Sequence, residues 1–167
     1  EADRYDLITS NIPFGDFMVY DRTYSKGKDS IKREATRTIH NYFFIKGLDS
    51  LREGGVLAFI TSQGLLDSPY NEIFRRYLME QSRLISAIRL PSGMFSEHAG
   101  TEVGSDLIVL QKQTGKGITP GEEERFVRTA AVPSGDGFSI AFTHNSLFEG
   151  PWEEIRSHTI ATERTIG

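Results

Sequence analysis

The sequence predicts an α/β sheet with an antiparallel strand near its edge, and three observations carry that reading. Short apolar runs at 5–10 and 56–61 bracket a stretch with helical spacing, giving the order strand, helix, strand. A second helical stripe, from Tyr70 to Leu78, leads into another apolar run at 84–90. A last run at 106–111 follows with no helical stripe in between. Parallel neighbours need a crossover that is usually helical, so this final pair is read as antiparallel.

The first strand, Tyr5-Asp6-Leu7-Ile8-Thr9-Ser10, stands almost at the start of the chain, as expected of a fragment whose preceding part lies upstream of Glu1. From Asp16 to Arg37 the sequence is polar and aperiodic. Six basic residues (Arg22, Lys26, Lys28, Lys32, Arg33, Arg37) stand there against four acidic ones. A loop of this length is either functional or a solvated surface segment, and both readings stand.

Tyr42, Ile45, Leu48 and Leu51 recur at three-residue steps and predict a helix near 36–53, ended by Gly54-Gly55, since glycine accepts positive φ freely. Val56-Leu57-Ala58-Phe59-Ile60 is a continuous apolar run, the pattern of a strand covered on both faces. Ser68-Pro69 supplies an N-cap and a first-turn proline for a helix near 69–81. Its stripe of Tyr70, Ile73, Phe74, Tyr77 and Leu78 is assigned to the core. The loop 91–105 carries Pro91, Gly93, Gly100 and Gly104 and no stripe. Beyond Thr114, Gly115, Gly117, Pro120 and Gly121 read as a linker and Glu122-Glu123-Glu124 as a solvated acidic run. A weak strand over 125–132 and alternation over 138–142 follow. The expected division is 1–114 as one unit and 115–167 as linker and the start of a further segment.

Composition narrows function without choosing it. Charged residues make up 25% and apolar residues 38%, as in an ordinary soluble domain. A net charge of −4 excludes a generic polyanion binder, so any nucleic-acid surface must be local. The absence of cysteine excludes disulfides and thiolate metal sites. His40, His98, His144 and His158 share no metal-ligand spacing, and no metal is expected. No apolar run reaches the ~20 residues of a membrane span, so no membrane partner and a cytoplasmic location are expected.

Chemistry concentrates in Asn11-Ile12-Pro13-Phe14, at the carboxyl end of the first strand, where open α/β sheets bind ligands. The residues suit a planar base with an exocyclic amine. The Asn11 amide oxygen and the Ile12 carbonyl can each accept an N–H. Pro13 stiffens that carbonyl's direction, and Phe14 offers a face for stacking. The other reading is a strand-ending turn, because Asn and Pro both favour turns. Thr61-Ser62-Gln63-Gly64 ends another strand, so Ser62 and Gln63 are candidate pocket residues; the run lacks the serine-hydrolase elbow.

The segment 5–14 resembles motif IV of the amino-methyltransferases, an apolar strand followed by [DNS]-P-P-[YFW]. The later Tyr42-Phe43-Phe44-Ile45-Lys46-Gly47-Leu48, Leu90-Pro91-Ser92-Gly93-Met94-Phe95 and Ser105-Asp106-Leu107-Ile108-Val109-Leu110-Gln111-Lys112 resemble the N6-adenine DNA methyltransferase family. More closely, Asn11 to Phe17 and Thr61 to Gly64 are similar to large methylase-helicase proteins of bacterial conjugative elements. The resemblance covers roughly 1–114. It implies the C-terminal half of a Rossmann-like methyltransferase sheet acting on DNA with S-adenosyl-L-methionine. It implies that Asn11 and the Ile12 carbonyl hold the adenine N6 amine, and that Phe14 and Phe95 pack on the flipped base. Ile12 departs from the usual proline, which loosens the turn but keeps a carbonyl acceptor. No G-x-G follows any strand, and there is no phosphate-binding G-x-x-x-x-G-K-[ST] motif. The cofactor site is therefore expected upstream of Glu1, in the missing N-terminal half, and the isolated chain is expected to be inactive. Two rivals remain: a methyltransferase for RNA or protein glutamine, and a non-catalytic DNA-binding or scaffold module.

Overall fold

The computed structural model describes residues 4–15, 17–91 and 104–149. Strand β1 (Tyr5–Asn11) pairs parallel with β2 (Leu51–Ser62), and β3 (Ser82–Arg89) and β4 (Ser105–Lys112) complete a sheet in the order β1-β2-β4-β3. β4 lies between β2 and β3, antiparallel to both; the pairing with β3 is the one the absence of a helical crossover predicts. β1 is an edge strand, paired among the described residues with β2 alone.

The segment after β1 is more ordered than a polar loop. It holds helices α1 (Arg22–Ser25) and α2 (Ser30–Ala35), each started by an aspartate N-cap. The Asp21 carboxylate accepts the N–H groups of Thr23 and Tyr24, and Asp29 those of Ile31 and Lys32. Helix α3 (Ile39–Ser50) is shorter than the predicted 36–53, because the chain turns extended at Leu51. Gly54 and Gly55 therefore do not cap it. They lie inside β2, where Gly54 has φ +78° and the pairing with β1 slips between Tyr5 and Leu7. A Cβ on Gly55 would stand 3.0 Å from the Tyr5 carbonyl, so the glycine permits the close approach of β1.

After β2 come α4 (Gly64–Asp67), a 3₁₀ turn (Pro69–Asn71) and α5 (Glu72–Gln81). Ser68-Pro69 thus opens a 3₁₀ turn, and the stripe is displaced accordingly. Phe74 and Leu78 are buried, but Tyr70 is 94% and Ile73 67% exposed, which corrects their assignment to the core. The inward positions include Arg75 and Met79 instead.

The core forms where Leu57 and Phe59 of β2, Ile108 and Leu110 of β4 and Ala87 of β3 meet Phe44, Ile45 and Leu48 of α3 and Phe74, Leu78 and Met79 of α5. Gly47 brings α3 close to β2, since a Cβ there would stand 2.5 Å from the Leu57 side chain. The alternate β2 residues Val56, Ala58 and Ile60 are only half-buried, and Leu7 of β1 is exposed. Coverage of both faces of β2 is thus not reached within the described residues.

Residues after Thr114 return to this core. Helix α6 (Glu122–Val127) buries Phe126 and Val127, and a hairpin of β5 (Thr129–Pro133) and β6 (Ile140–Asn145) follows. The acidic run is not wholly solvated: the Glu123 carboxylate is buried against Lys116 and accepts the N–H groups of Thr119 and Leu84. Among the described residues no helix is long and apolar enough to cross a membrane.

Candidate functional site

The tetrapeptide is held by its second residue. Ile12 is fully buried in the core, and its N–H donates to the Ile60 carbonyl at 3.0 Å, extending the β1–β2 ladder by one step. Period-two alternation then turns Asn11 and Pro13 outward, and both are exposed. No hydrogen bond engages the Asn11 side-chain amide among the described residues. Gly15 follows with φ +142°, and the Phe17 ring folds over it so closely that a Cβ would collide. The turn after Phe14 therefore needs glycine on both backbone and steric grounds.

Phe14 is half-buried, with its ring 6.4 Å from that of His40 at an interplanar angle of 41°. His40 stands in the first turn of α3 and is itself buried. Its Nδ1 shares a 2.7 Å hydrogen bond with the hydroxyl of Thr61, which is fully buried near the end of β2. Composition and spacing gave no reason to single out His40; a lone histidine at a helix start carries no signal of what it packs against.

Ser62 and Gln63 come to the same end of the sheet, because Asn11 registers with Ile60 in β2. Ser62 pairs with Ser105 of β4. The Gln63 N–H donates to the Gly104 carbonyl at 3.0 Å, and its side chain lies against Gly104. Phe95, the remaining candidate, lies outside the described residues.

A second buried polar group occupies this end of the sheet. Arg89, the last residue of β3, holds Asp106 through Nε at 3.0 Å and Nη2 at 3.1 Å, and donates from Nη2 to Asp67 at 2.8 Å. Its guanidinium lies 4.2 Å from the centroid of the Phe148 ring. Burial pushes the Asp106 carboxyl up to about 6, against the opposing pull of Arg89. Asp67 also accepts the Asn145 N–H, tying the C-terminal hairpin to this cluster. The signal for it was an aspartate heading an apolar strand, but its partners are far apart in sequence.

The segment carrying α1 and α2 is fastened along α3. The Tyr42 hydroxyl and the Lys46 ammonium both donate to Asp21, and the Tyr24 hydroxyl and Lys32 both donate to Asp49. Burial works against ionisation of Asp21, yet the Tyr24 N–H, Tyr42 and Lys46 hold its carboxyl below its ordinary value. An open groove of about 610 Å³ runs beside β1, lined by Leu7, Thr9, Tyr42, Phe43, Lys46 and Phe59 among others.

The family model for the Eco57I restriction-modification methylase matches residues 1–95, more than half of the chain. The chain belongs to that family. It is also 26% identical over 110 residues to the defense against restriction protein B of Escherichia phage P1, a match covering 66% of this chain and 5% of that protein. In fold it is similar to a modification subunit assigned to a type I restriction enzyme from Vibrio vulnificus, with a TM-score of 0.55 and 22% identity over 70% of this chain and 24% of that one. It is similar too to a Listeria monocytogenes protein described as a class I S-adenosylmethionine-dependent methyltransferase, with a TM-score of 0.52 and 19% identity over 70% of this chain and 36% of that one. The described sheet is thus part of a Rossmann-like methyltransferase fold. This chain spans a minor share of each of these proteins.

Proposed function

We propose that this chain supplies the target-base half of an S-adenosyl-L-methionine-dependent DNA methyltransferase that acts on N6 of a flipped adenine. The observation that carries the reading is the tetrapeptide itself: Ile12 is pinned in the core while Asn11 and Phe14 stand at the carboxyl end of β1. Membership of a restriction-modification methylase family supports methyl transfer to DNA. The adenine amine and the flipped base are inferred from the chemistry of the motif.

An aromatic amine is a weak nucleophile because its lone pair is delocalised into the ring. Two acceptors, the Asn11 amide oxygen and the Ile12 carbonyl, favour the pyramidal nitrogen that develops positive charge as it attacks. This is electrostatic preorganisation and needs no strong base. Asn11 and the Ile12 carbonyl would keep the amine's lone pair aimed at the methyl group that the cofactor would supply, and the methylated nitrogen would then lose one proton to water. Phe14 stacks on the ring and holds it in line. A base within a duplex cannot reach Asn11, so it is flipped out first.

S-adenosyl-L-methionine contributes the electrophilic methyl group when bound. The glycines that follow β4, Gly115 and Gly117, fall in the linker before α6 and do not form a G-x-G-x-x-G turn, so no described residue is assigned to the cofactor. The free edge of β1, the groove beside it and the half-open face at Leu7, Ala58 and Ile60 suit the remaining strands and helices of such a sheet. The cofactor is assigned to those further elements rather than to the described residues. The test is to incubate the full-length protein with S-adenosyl-L-methionine and DNA and to identify the methylated base. N6-methyladenine is the expected product; methylation confined to cytosine, RNA or protein glutamine contradicts the reading. The isolated chain is expected to bind S-adenosyl-L-methionine weakly or not at all in calorimetry, and micromolar affinity would show that the cofactor site is misassigned.

A further inference from the structure

We infer that His40 is a positioning residue for the base-stacking step: held by Thr61, it supports the face of Phe14 turned away from the substrate. The inference rests on the functional reading above.

A stacking platform must stay in place when it is empty. Phe14 follows a proline at the end of an edge strand and is followed by a glycine, so its backbone offers little restraint on the ring beyond Ile12. One ring beside it, among the described residues, is that of His40, 6.4 Å away centroid to centroid. Tilted aromatic pairs at this separation attract through their ring quadrupoles beyond the area they bury.

His40 is in turn constrained from two sides. Its backbone sits in the first turn of α3, a helix welded to β2 through Gly47 and the Phe44–Phe59 ring contact at 5.2 Å. Its ring is oriented by the 2.7 Å hydrogen bond to the Thr61 hydroxyl, and Thr61 is fully buried. Thr61 lies one residue beyond Ile60, whose carbonyl receives the Ile12 N–H. The same two-residue step of β2 therefore holds both the backbone of the tetrapeptide and the ring that backs Phe14. Polar burial at Thr61, in a strand position otherwise suited to an aliphatic side chain, has a role under this inference: it fixes the plane of a ring one layer further out.

The roles of the His40 ring and its hydrogen bond can be separated. His40→Gln keeps a group able to hydrogen-bond Thr61 but removes the ring, whereas His40→Phe keeps a ring and removes the hydrogen bond. In the full-length protein, the probe is a duplex with 2-aminopurine in place of the methylated adenine, whose fluorescence reports unstacking from DNA and restacking on protein. Methyl transfer to the unmodified duplex gives kcat and KM. His40→Gln should retain the wild-type melting temperature, lose the Phe14-dependent quenching, and raise KM by about threefold to tenfold with a smaller change in kcat. His40→Phe should recover only part of the quenching and of KM, because its ring is no longer oriented by Thr61. In the Phe14→Ala background, His40→Gln should have no further effect. Wild-type quenching and KM in His40→Gln, or additive effects in the double variant, would overturn the inference. If the wild-type protein methylates no adenine in DNA, the functional reading has failed instead, and that is seen before any His40 variant is made.

Discussion

Arg75 is the largest fully buried side chain among the described residues, and its replacement has a magnitude that can be worked through. Its Nε donates to the Val127 carbonyl at 2.9 Å, and Nη1 donates to the carbonyls of Leu65 at 3.0 Å and Ser68 at 2.7 Å. One guanidinium thus joins α5 to the α4 turn and to the end of α6. Arg75→Met keeps much of the volume but removes these donors, leaving the Ser68 carbonyl only the Asn71 N–H. Hydrogen bonds to a charged donor contribute ~1.5–3 kcal/mol each, so the three together represent roughly 5–9 kcal/mol. Against this, burial has pushed the guanidinium down to about 10, and relieving that desolvation returns about 3 kcal/mol. The expected net loss is about 2–6 kcal/mol, which spans the range for breaking a buried charged network. Arg75→Lys should be no better, because a lysine reaches one carbonyl and retains the burial cost. The assay is urea unfolding, with hydrogen exchange at Phe126 and Val127 as the local readout. Arg75→Met within about 1 kcal/mol of wild type would show that Arg75 merely fills space, since volume-conserving core swaps cost about that little.

Asp106 and Asp49 give two further tests. The folded-state carboxyl of Asp106, at about 6, lies above its unfolded value, so its contribution to stability is present below about pH 4 and lost as pH rises through 6. Relative to Asp106→Asn, wild-type stability in urea should fall by about 2–3 kcal/mol between pH 4 and pH 7, the size set by a two-unit shift. A difference that is flat with pH contradicts this. Asp49→Asn weakens the acceptor shared by the Tyr24 hydroxyl and Lys32, and should cost about 1–2 kcal/mol. It should also speed tryptic cleavage at Arg22, Lys26 and Lys28, and an unchanged cleavage rate would show that Asp49 does not fasten this segment.

The sheet was legible because its strands are apolar runs of the right length, and the antiparallel direction of β4 against β3 followed from the missing crossover. Boundaries failed where one signal serves two structures. Gly54-Gly55 marks a helix end or a strand bulge equally well, and only the extended backbone at Leu51 decides between them. Tyr70 lies in a 3₁₀ turn with a different residue repeat, and within α5 the buried stripe runs through Phe74, Arg75, Leu78 and Met79, which leaves Ile73 outside it. At the site, Asn11-Ile12-Pro13-Phe14 was legible as a contiguous motif, whereas His40, Thr61 and the Arg89–Asp106–Asp67 group were not. Their meaning lies in contacts between elements far apart in sequence, and a buried arginine or histidine looks in sequence like a solvated one.

The most direct test of the central claim is single-turnover methyl transfer to adenine-containing DNA by the full-length protein carrying Asn11→Ala. Loss of one of two acceptors around the developing charge should slow the chemical step by about 10² to 10³-fold, by analogy with losing one oxyanion-hole donor. Phe14→Trp should stay near wild type, because the site requires a π-face rather than a particular ring. A wild-type rate in Asn11→Ala would mean that the tetrapeptide is only a strand-ending turn.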